Sequence, residues 1–345
     1  EKHLFNNASL LYNLTETDGI SVRITERLFL GGITYMKTVV VALGGNAILK
    51  PGQKGTYAEQ MENVDEAAKN IVKLVKEGYE VVIAHGNGPQ VGNILLQNAA
   101  ARDQVPAQPL FVCGAESQGQ IGYMIQQNIM NELKREGIDK PVVTLLTQVV
   151  VDPADPAFKN PTKPVGAFYT EDEAKAGMAA GENWVEDSGR GWRKVVPSPK
   201  PIDVVELEEV KDLIENGCIV ISVGGGGIPV MRDENGILGG VEAVIDKDLA
   251  SSLLARELNA DILTIATDVD NVAINFGKPD QVNLERVTVA EAKEYDAQGQ
   301  FGKGSMGPKV AAIIEFVEGG GEGIITSLAN LRDAVVEGKG TRIVK

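Results

Sequence analysis

Residues 38–46, TVVVALGGN, and residues 81–92, VVIAHGNGPQVG, read as one unit used twice: a short apolar run that stops at a glycine loop. Between them Met61, Val64, Ala68, Ile71 and Val75 recur at helical spacing, and Gly78 supplies the stop. Strand, helix and strand in that order predict an α/β fold, with a mainly parallel sheet covered on both faces. The second loop runs straight into Pro89, which suits a first helical position, and Val91, Ile94 and Leu95 give the following helix its apolar side. The same alternation continues along the chain. It predicts strands at 142–151, 219–223, 262–266 and 324–326, and helices at 118–136, 205–216, 249–258, 289–295 and 308–318.

The loops also say something about chemistry. Glycines let backbone N–H groups come close to an anion, and a helix N-terminus adds free N–H groups and the positive end of a dipole. Lysines supply the remaining charge that phosphate requires. Lys247 stands between Asp246 and Asp248 in Ile245-Asp246-Lys247-Asp248, and Lys309 closes Gly304-Ser305-Met306-Gly307-Pro308-Lys309 near an expected helix start. For Lys247 a carboxylate can hold the ammonium facing phosphate oxygens, or one carboxylate can approach Mg²⁺; a surface charge cluster at a helix start is the competing reading.

The chain has 345 residues, 43% hydrophobic and 23% charged, enough for a large core and two lobes. A net charge of −15 disfavours nucleic acid and anionic membrane surfaces, since the long-range field repels polyanions. Small anions are still admitted, because screening confines that field to about 8 Å at physiological salt. Cys113 and Cys218 form no metal-like spacing, and no run nears the ~20 apolar residues that span a bilayer, so a reduced cytoplasmic location is expected. Residues 1–35 lack the strand and helix alternation and read as an N-terminal extension without an assigned role. Its Asn7-Ala8-Ser9 and Asn13-Leu14-Thr15 patterns occur without an export signal.

Between about 152 and 201 the alternation fails, and Pro153, Pro156, Pro161, Pro164, Pro197, Pro199 and Pro201 punctuate the segment. It is too long for a simple connection and predicts a small protruding subdomain or lid. Lys163 within it either reaches a site elsewhere or is an ordinary exposed lysine.

Several chemistries are disfavoured. His85 is the one histidine beyond the N-terminal extension, so neither a histidine triad nor a multi-histidine metal site is available. Gly302-Lys303-Gly304-Ser305 and Gly338-Lys339-Gly340-Thr341 only superficially resemble a Walker A loop. Gly224-Gly225-Gly226-Gly227 follows a strand but lacks the spacing of a dinucleotide fingerprint. Phosphoryl transfer remains, a reaction in which positioning and charge stabilisation carry most of the work.

The loops and lysines also carry a resemblance. Ala42 to Ile48, His85 to Gly92, Gln118 to Tyr123, Asn160 to Pro164, Val196 to Pro199, Gly224 to Val230, Val244 to Ser251 and Gly304 to Lys309 together resemble the carbamate kinases of the amino-acid kinase family, in that order and across residues 37–345. The resemblance implies a three-layer α/β/α sandwich and a homodimer. It implies a lobe at 36–216 for carbamate or carbamoyl phosphate, carrying the subdomain, and a nucleotide lobe at 217–345, with the boundary near Asn216. The implied reaction converts MgATP and carbamate reversibly to MgADP and carbamoyl phosphate, commonly run toward ATP in arginine catabolism.

By the same resemblance Gly44, Gly45, Asn46, Gly86, Asn87, Gly88, Gly225 and Gly226 hold the carbamate and the transferred phosphoryl group. Lys163, Lys247 and Lys309 neutralise charge, and Asp246 orients them. Thr267, Asp268, Met306 and Gly307 join Lys309 around the nucleotide. Mg²⁺ is expected to arrive with ATP or ADP rather than in a protein cage. Ala273 stands where relatives often have a tyrosine beside the adenine. A non-catalytic nucleotide sensor or storage protein on the same fold is the alternative.

Overall fold

The computed structural model describes residues 36–187, 189–302 and 304–345, omitting the side chain of Ala167. The expectations for residues 1–35 and for Lys303 lie outside the described residues. Residues 37–345 form one compact unit.

Strand β1 (Thr38–Leu43) is followed by α1 (Tyr57–Lys76), β2 (Glu80–His85), α2 (Gly88–Ala101) and α3 (Leu110–Arg135). Next come β3 (Val142–Thr144) and β4 (Gln148–Val151), then the excursion β5 (Lys163–Tyr169), α4 (Glu171–Ala179), β6 (Asn183–Glu186) and β7 (Trp192–Val196). The chain returns through β8 (Pro201–Val204), α5 (Leu207–Glu215), β9 (Ile219–Ile221), β10 (Ile228–Arg232), β11 (Leu238–Gly240) and α6 (Lys247–Glu257). The last part holds β12 (Ile262–Thr267), β13 (Ala273–Ile274), β14 (Val282–Asn283), β15 (Arg286–Thr288) and α7 (Val289–Ala297). It ends with α8 (Met306–Gly319), β16 (Glu322–Ser327), α9 (Leu331–Glu337) and β17 (Thr341–Val344).

Eight strands form the central sheet in the order β15-β17-β16-β12-β1-β2-β9-β3. All neighbours are parallel except β16 and β17. Strand β1 lies in the middle, and its residues explain why it reads as an unbroken apolar run. Val39, Val41 and Leu43 pack with Val64, Ile71, Ile121 and Ile125 on one face; Val40 and Ala42 pack with Leu254, Val310 and Ile313 on the other. A strand buried on both sides has no polar face to show, and burying each such side chain contributes about 1.5–3 kcal/mol. The result is the expected three-layer α/β/α architecture. Because β9 lies between β2 and β3, the sheet continues without a break past residue 216.

Two expectations are corrected. The apolar run 142–151 is two strands: β3 ends the main sheet, while β4 belongs to a four-stranded sheet ordered β11-β10-β4-β8. Thr147, fully buried between them, donates its hydroxyl to Leu145 O at 2.9 Å and is hydrogen-bonded to Ser222 Oγ at 3.0 Å, which lets the chain leave one sheet for the other inside the core. Helix α3 begins at Leu110 rather than Gln118, because Pro109 provides a start and Glu242 Oε1 accepts the free N–H of Leu110 at 2.9 Å. The excursion at 152–201 contains the antiparallel sheet β5-β7-β6 with α4, which is capped by the Thr170 and Glu173 box. Among the described residues no helix is long and apolar enough to cross a membrane.

Candidate active site

Parallel β1, β2, β9 and β12 bring their C-terminal ends to one edge of the sheet, where open α/β sheets bind ligands. The three glycine loops meet there. Gly44 N–H donates to Ala266 O at 3.0 Å, joining the first loop to the end of β12 beside Thr267, and Gly86 N–H donates to Leu43 O at 3.1 Å. A Cβ on Gly86 would lie 3.2 Å from Lys247 Cδ and 3.9 Å from Gly45 N, so the lysine stem runs between the first two loops. At Gly225, with φ of 65°, a Cβ would fall 2.3 Å from Asn87 Nδ2, and at Gly226 it would strike Ile245 O. The third loop therefore seats against both the second loop and the segment leading to Lys247.

Asn87 precedes α2, donates through Nδ2 to Ser117 Oγ at 2.8 Å, and leaves Gly88 and Pro89 to open the helix. Asn46, half-buried, has no side-chain hydrogen bond among the described residues, so its amide is free for a ligand. Thr267 Oγ1 donates to Asp268 Oδ1 at 3.0 Å at the end of β12. Met306 and Gly307 form the first turn of α8, and Gly307 N–H is tied back to Gly302 O at 3.0 Å.

The lysines form two linked groups. Asp246 caps α6 by accepting from Asp248 N–H at 2.9 Å through Oδ1, and its Oδ2 receives Lys163 Nζ at 2.8 Å. Lys163 thus reaches from the start of β5 in the protruding subdomain to the sheet edge. Asp248 then binds Lys247 Nζ with Oδ1 and Lys309 Nζ with Oδ2, the latter at 3.1 Å. Its side chain is 4% exposed and those of the two lysines 13% and 14%, which excludes a surface charge cluster. Burial pushes the Asp248 carboxyl up, but the two ammonium charges and their hydrogen bonds outweigh it and hold the group below its ordinary value.

Lys247 is the first residue of α6 and Lys309 the fourth of α8. A cation at the positive end of a helix is electrostatically unfavourable, so neither helix by itself favours a lysine there, and Asp248 is what offsets the two charges. Three lysines against two carboxylates leave the group with one net positive charge, reinforced by three helix N-termini. The arrangement is suited to the dispersed negative charge of a transferring phosphoryl group.

Two contributors escape a reading by motif. Asp248 shares its motif with Asp246, and only the fold shows that Asp248 joins Lys247 to Lys309 while Asp246 takes Lys163. Gln118 is buried and holds the third loop, donating Nε2 to Thr147 O at 3.1 Å and Gly224 O at 3.0 Å while accepting Thr147 N–H. His85 is a structural group. It is 1% exposed, its Nδ1 pairs with Gly86 O at 3.0 Å, and burial followed by the Lys247 charge lowers its pKa to about 4.

Among the described residues no set of three or more His, Cys, Asp or Glu is placed to hold a metal ion, and both central carboxylates are engaged by lysine.

Fold and site together define a protein of the amino acid kinase family, whose sequence profile matches residues 37–327. Within that family the chain belongs to the carbamate kinases. It is 57% identical over 316 residues to carbamate kinase of Thermococcus kodakarensis, covering 90% of this chain and 100% of that one. Carbamate kinase of Giardia intestinalis is 52% identical over 313 residues, covering 90% and 98%. A solved structure of carbamate kinase from Giardia lamblia bound to AMP-PNP superposes with a TM-score of 0.86 at 53% identity, covering 90% of this chain and 99% of that one.

Proposed function

We propose that this enzyme transfers a phosphoryl group reversibly between MgATP and carbamate, giving MgADP and carbamoyl phosphate. The observation that carries the reading is the buried Lys247, Asp248 and Lys309 group facing two glycine loops, with Lys163 brought to the same edge by Asp246. The N–H groups of Gly45, Asn46, Asn87 and Gly88 receive carbamate and the transferring group, with Gly44 and Gly86 anchoring their loops through their own N–H bonds and the Gly225 and Gly226 turn completing the wall. Thr267, Asp268, Met306 and Gly307 lie toward the nucleotide. The lobe at 36–216 serves the carbamoyl substrate and the lobe at 217–345 the nucleotide.

Transfer is in line between a carbamate oxygen and the terminal β-phosphate oxygen of ADP. Lys247 and Lys309 donate to oxygens whose charge grows in the transition state, while Lys163 closes the acceptor side. Carbamate is already an oxyanion, so no base must remove a proton, consistent with a histidine that is buried and neutral. Mg²⁺ bound to the nucleotide would neutralise phosphate charge during the same step.

The physiological direction is toward ATP, in arginine catabolism in the cytoplasm. The working form is a homodimer. It is supported by half-exposed Tyr123, Met130 and Leu146, which border a cleft of about 570 Å³ beside β3 at one end of the sheet.

Phosphorus NMR of the enzyme with ADP, Mg²⁺ and carbamoyl phosphate tests the reading. ATP signals should appear with wild type and be strongly reduced with Lys309→Ala. Intact ADP binding without ATP formation would instead identify a nucleotide sensor.

A further inference from the structure

A second cleft, of about 580 Å³, opens on the side of the sheet opposite the catalytic edge, where β12 and β16 begin and where α6 and α8 end. Its wall includes Lys37, Arg256, Asn259 and Lys345. Among the described residues, none of these four side chains has a hydrogen bond or an ion pair. All four offer N–H donors. The acids in the same wall are engaged: Asp261 Oδ2 accepts Thr38 N–H at 2.8 Å, and Glu322 Oε2 pairs with Arg342 at 2.5 Å.

Helix C-termini ordinarily present carbonyls to such a space, which would favour a cation. Here the turns consume several of them. Asn259 N–H takes Arg256 O, Ala260 N–H takes Ala255 O, Leu258 N–H takes Leu254 O, and Gly320 N–H takes Val317 O. Asn259 is left-handed at φ of 51°, the conformation that folds this helix end back on itself. The Arg256 stem lies across Gly319, at 3.3 Å from where a Cβ would stand, so the guanidinium borders an open wall of Gly319, Gly320 and Gly321.

We infer that this cleft binds a small polyanion, a compound carrying two or three carboxylate or phosphate groups. Unpartnered donors of which three are cations, with Glu322 paired to Arg342 and the single remaining acid, Asp261, hydrogen-bonded to Thr38 N–H, are complementary to an acceptor-rich anion. The volume suits a molecule of metabolite size. The net charge of −15 does not oppose it, because screening limits that field to about 8 Å while the three cations are local. The cleft is separate from the catalytic edge: α6 begins at Lys247 and α8 carries Lys309 in its first turn, and both helices end here.

Calorimetric titration with saturating ADP in the catalytic cleft tests the inference, using citrate as the carboxylate probe and pyrophosphate as the phosphate probe. At least one probe should bind with a Kd of about 1 mM or tighter. Arg256→Gln and Lys37→Gln should each weaken it roughly tenfold, the value of one charge-assisted hydrogen bond, while Arg256→Lys should retain most of the affinity. Lys163→Ala, at the catalytic edge, should leave it unchanged. No binding by either probe, equal binding in the Gln variants, or loss in Lys163→Ala would overturn the assignment. Which probe binds decides between a carboxylate and a phosphate ligand.

Discussion

Replacing Asp248 with Asn keeps the shape of the site and removes the charge that joins its two lysines. The carboxylate is 4% exposed and accepts one ammonium on each oxygen. At an effective dielectric of about 20, unit charges about 4 Å apart interact by about 4 kcal/mol, and breaking a buried pair by removing one partner costs about 3–5 kcal/mol. Asn can still accept from one lysine through Oδ1, but its amide turns N–H groups toward the other. Asp248→Asn should therefore destabilise the fold by about 3 kcal/mol in denaturant unfolding. Turnover should fall by about 10² to 10³, the loss typical of removing one preorganised donor, because a lysine moves from its place. ADP affinity should stay the same or rise, since the uncompensated ammonium groups still attract phosphate. A reduced kcat with intact ADP binding separates a positioning role from general damage. A folded Asp248→Asn protein with kcat within about threefold of wild type would refute the reasoning.

Lys247→Ala and Lys309→Ala should each lower kcat for ATP formation by about 10² to 10³, measured in a coupled assay on protein whose circular dichroism matches wild type. His85 gives a signed pH dependence. The folded state holds it neutral to about pH 4 while the unfolded chain takes up a proton near 6.5, so stability is lost as pH falls through that window, by about 3 kcal/mol. His85→Asn should flatten the slope of unfolding free energy between those values. The depressed Asp248 adds a further loss below its ordinary value of 3.8. Gly225→Ala should cost about 1–3 kcal/mol in an unfolding titration, since φ is 65° and the new Cβ displaces Asn87, and it should raise KM for carbamoyl phosphate.

Much of the fold could be read from the chain because β1 and its neighbours are buried on both faces, which leaves short unbroken apolar runs between amphipathic helices. The glycine loops were equally legible, since close backbone approach demands that residue type. The failures have physical causes. The split of 142–151 depends on Thr147, whose buried hydroxyl is satisfied by Ser222, a partner 75 residues away. The start of α3 at Leu110 depends on Glu242, another distant acceptor. Lys247 and Lys309 could be marked as candidates from their motifs, but that one carboxylate holds both is a property of two helix starts brought together by the sheet. Lys163 likewise gains its place only when the excursion folds back and meets Asp246. Ala273 is buried in the short β13, so that position contributes core volume rather than an aromatic ring.

The most direct test is competition between carbamoyl phosphate and acetyl phosphate as donors to MgADP, with initial rates of ATP formation followed in one mixture. The account predicts rapid ATP formation drawn selectively from carbamoyl phosphate. Preference for acetyl phosphate would contradict the substrate assignment, and no ATP from either donor by protein that binds ADP would contradict catalysis itself.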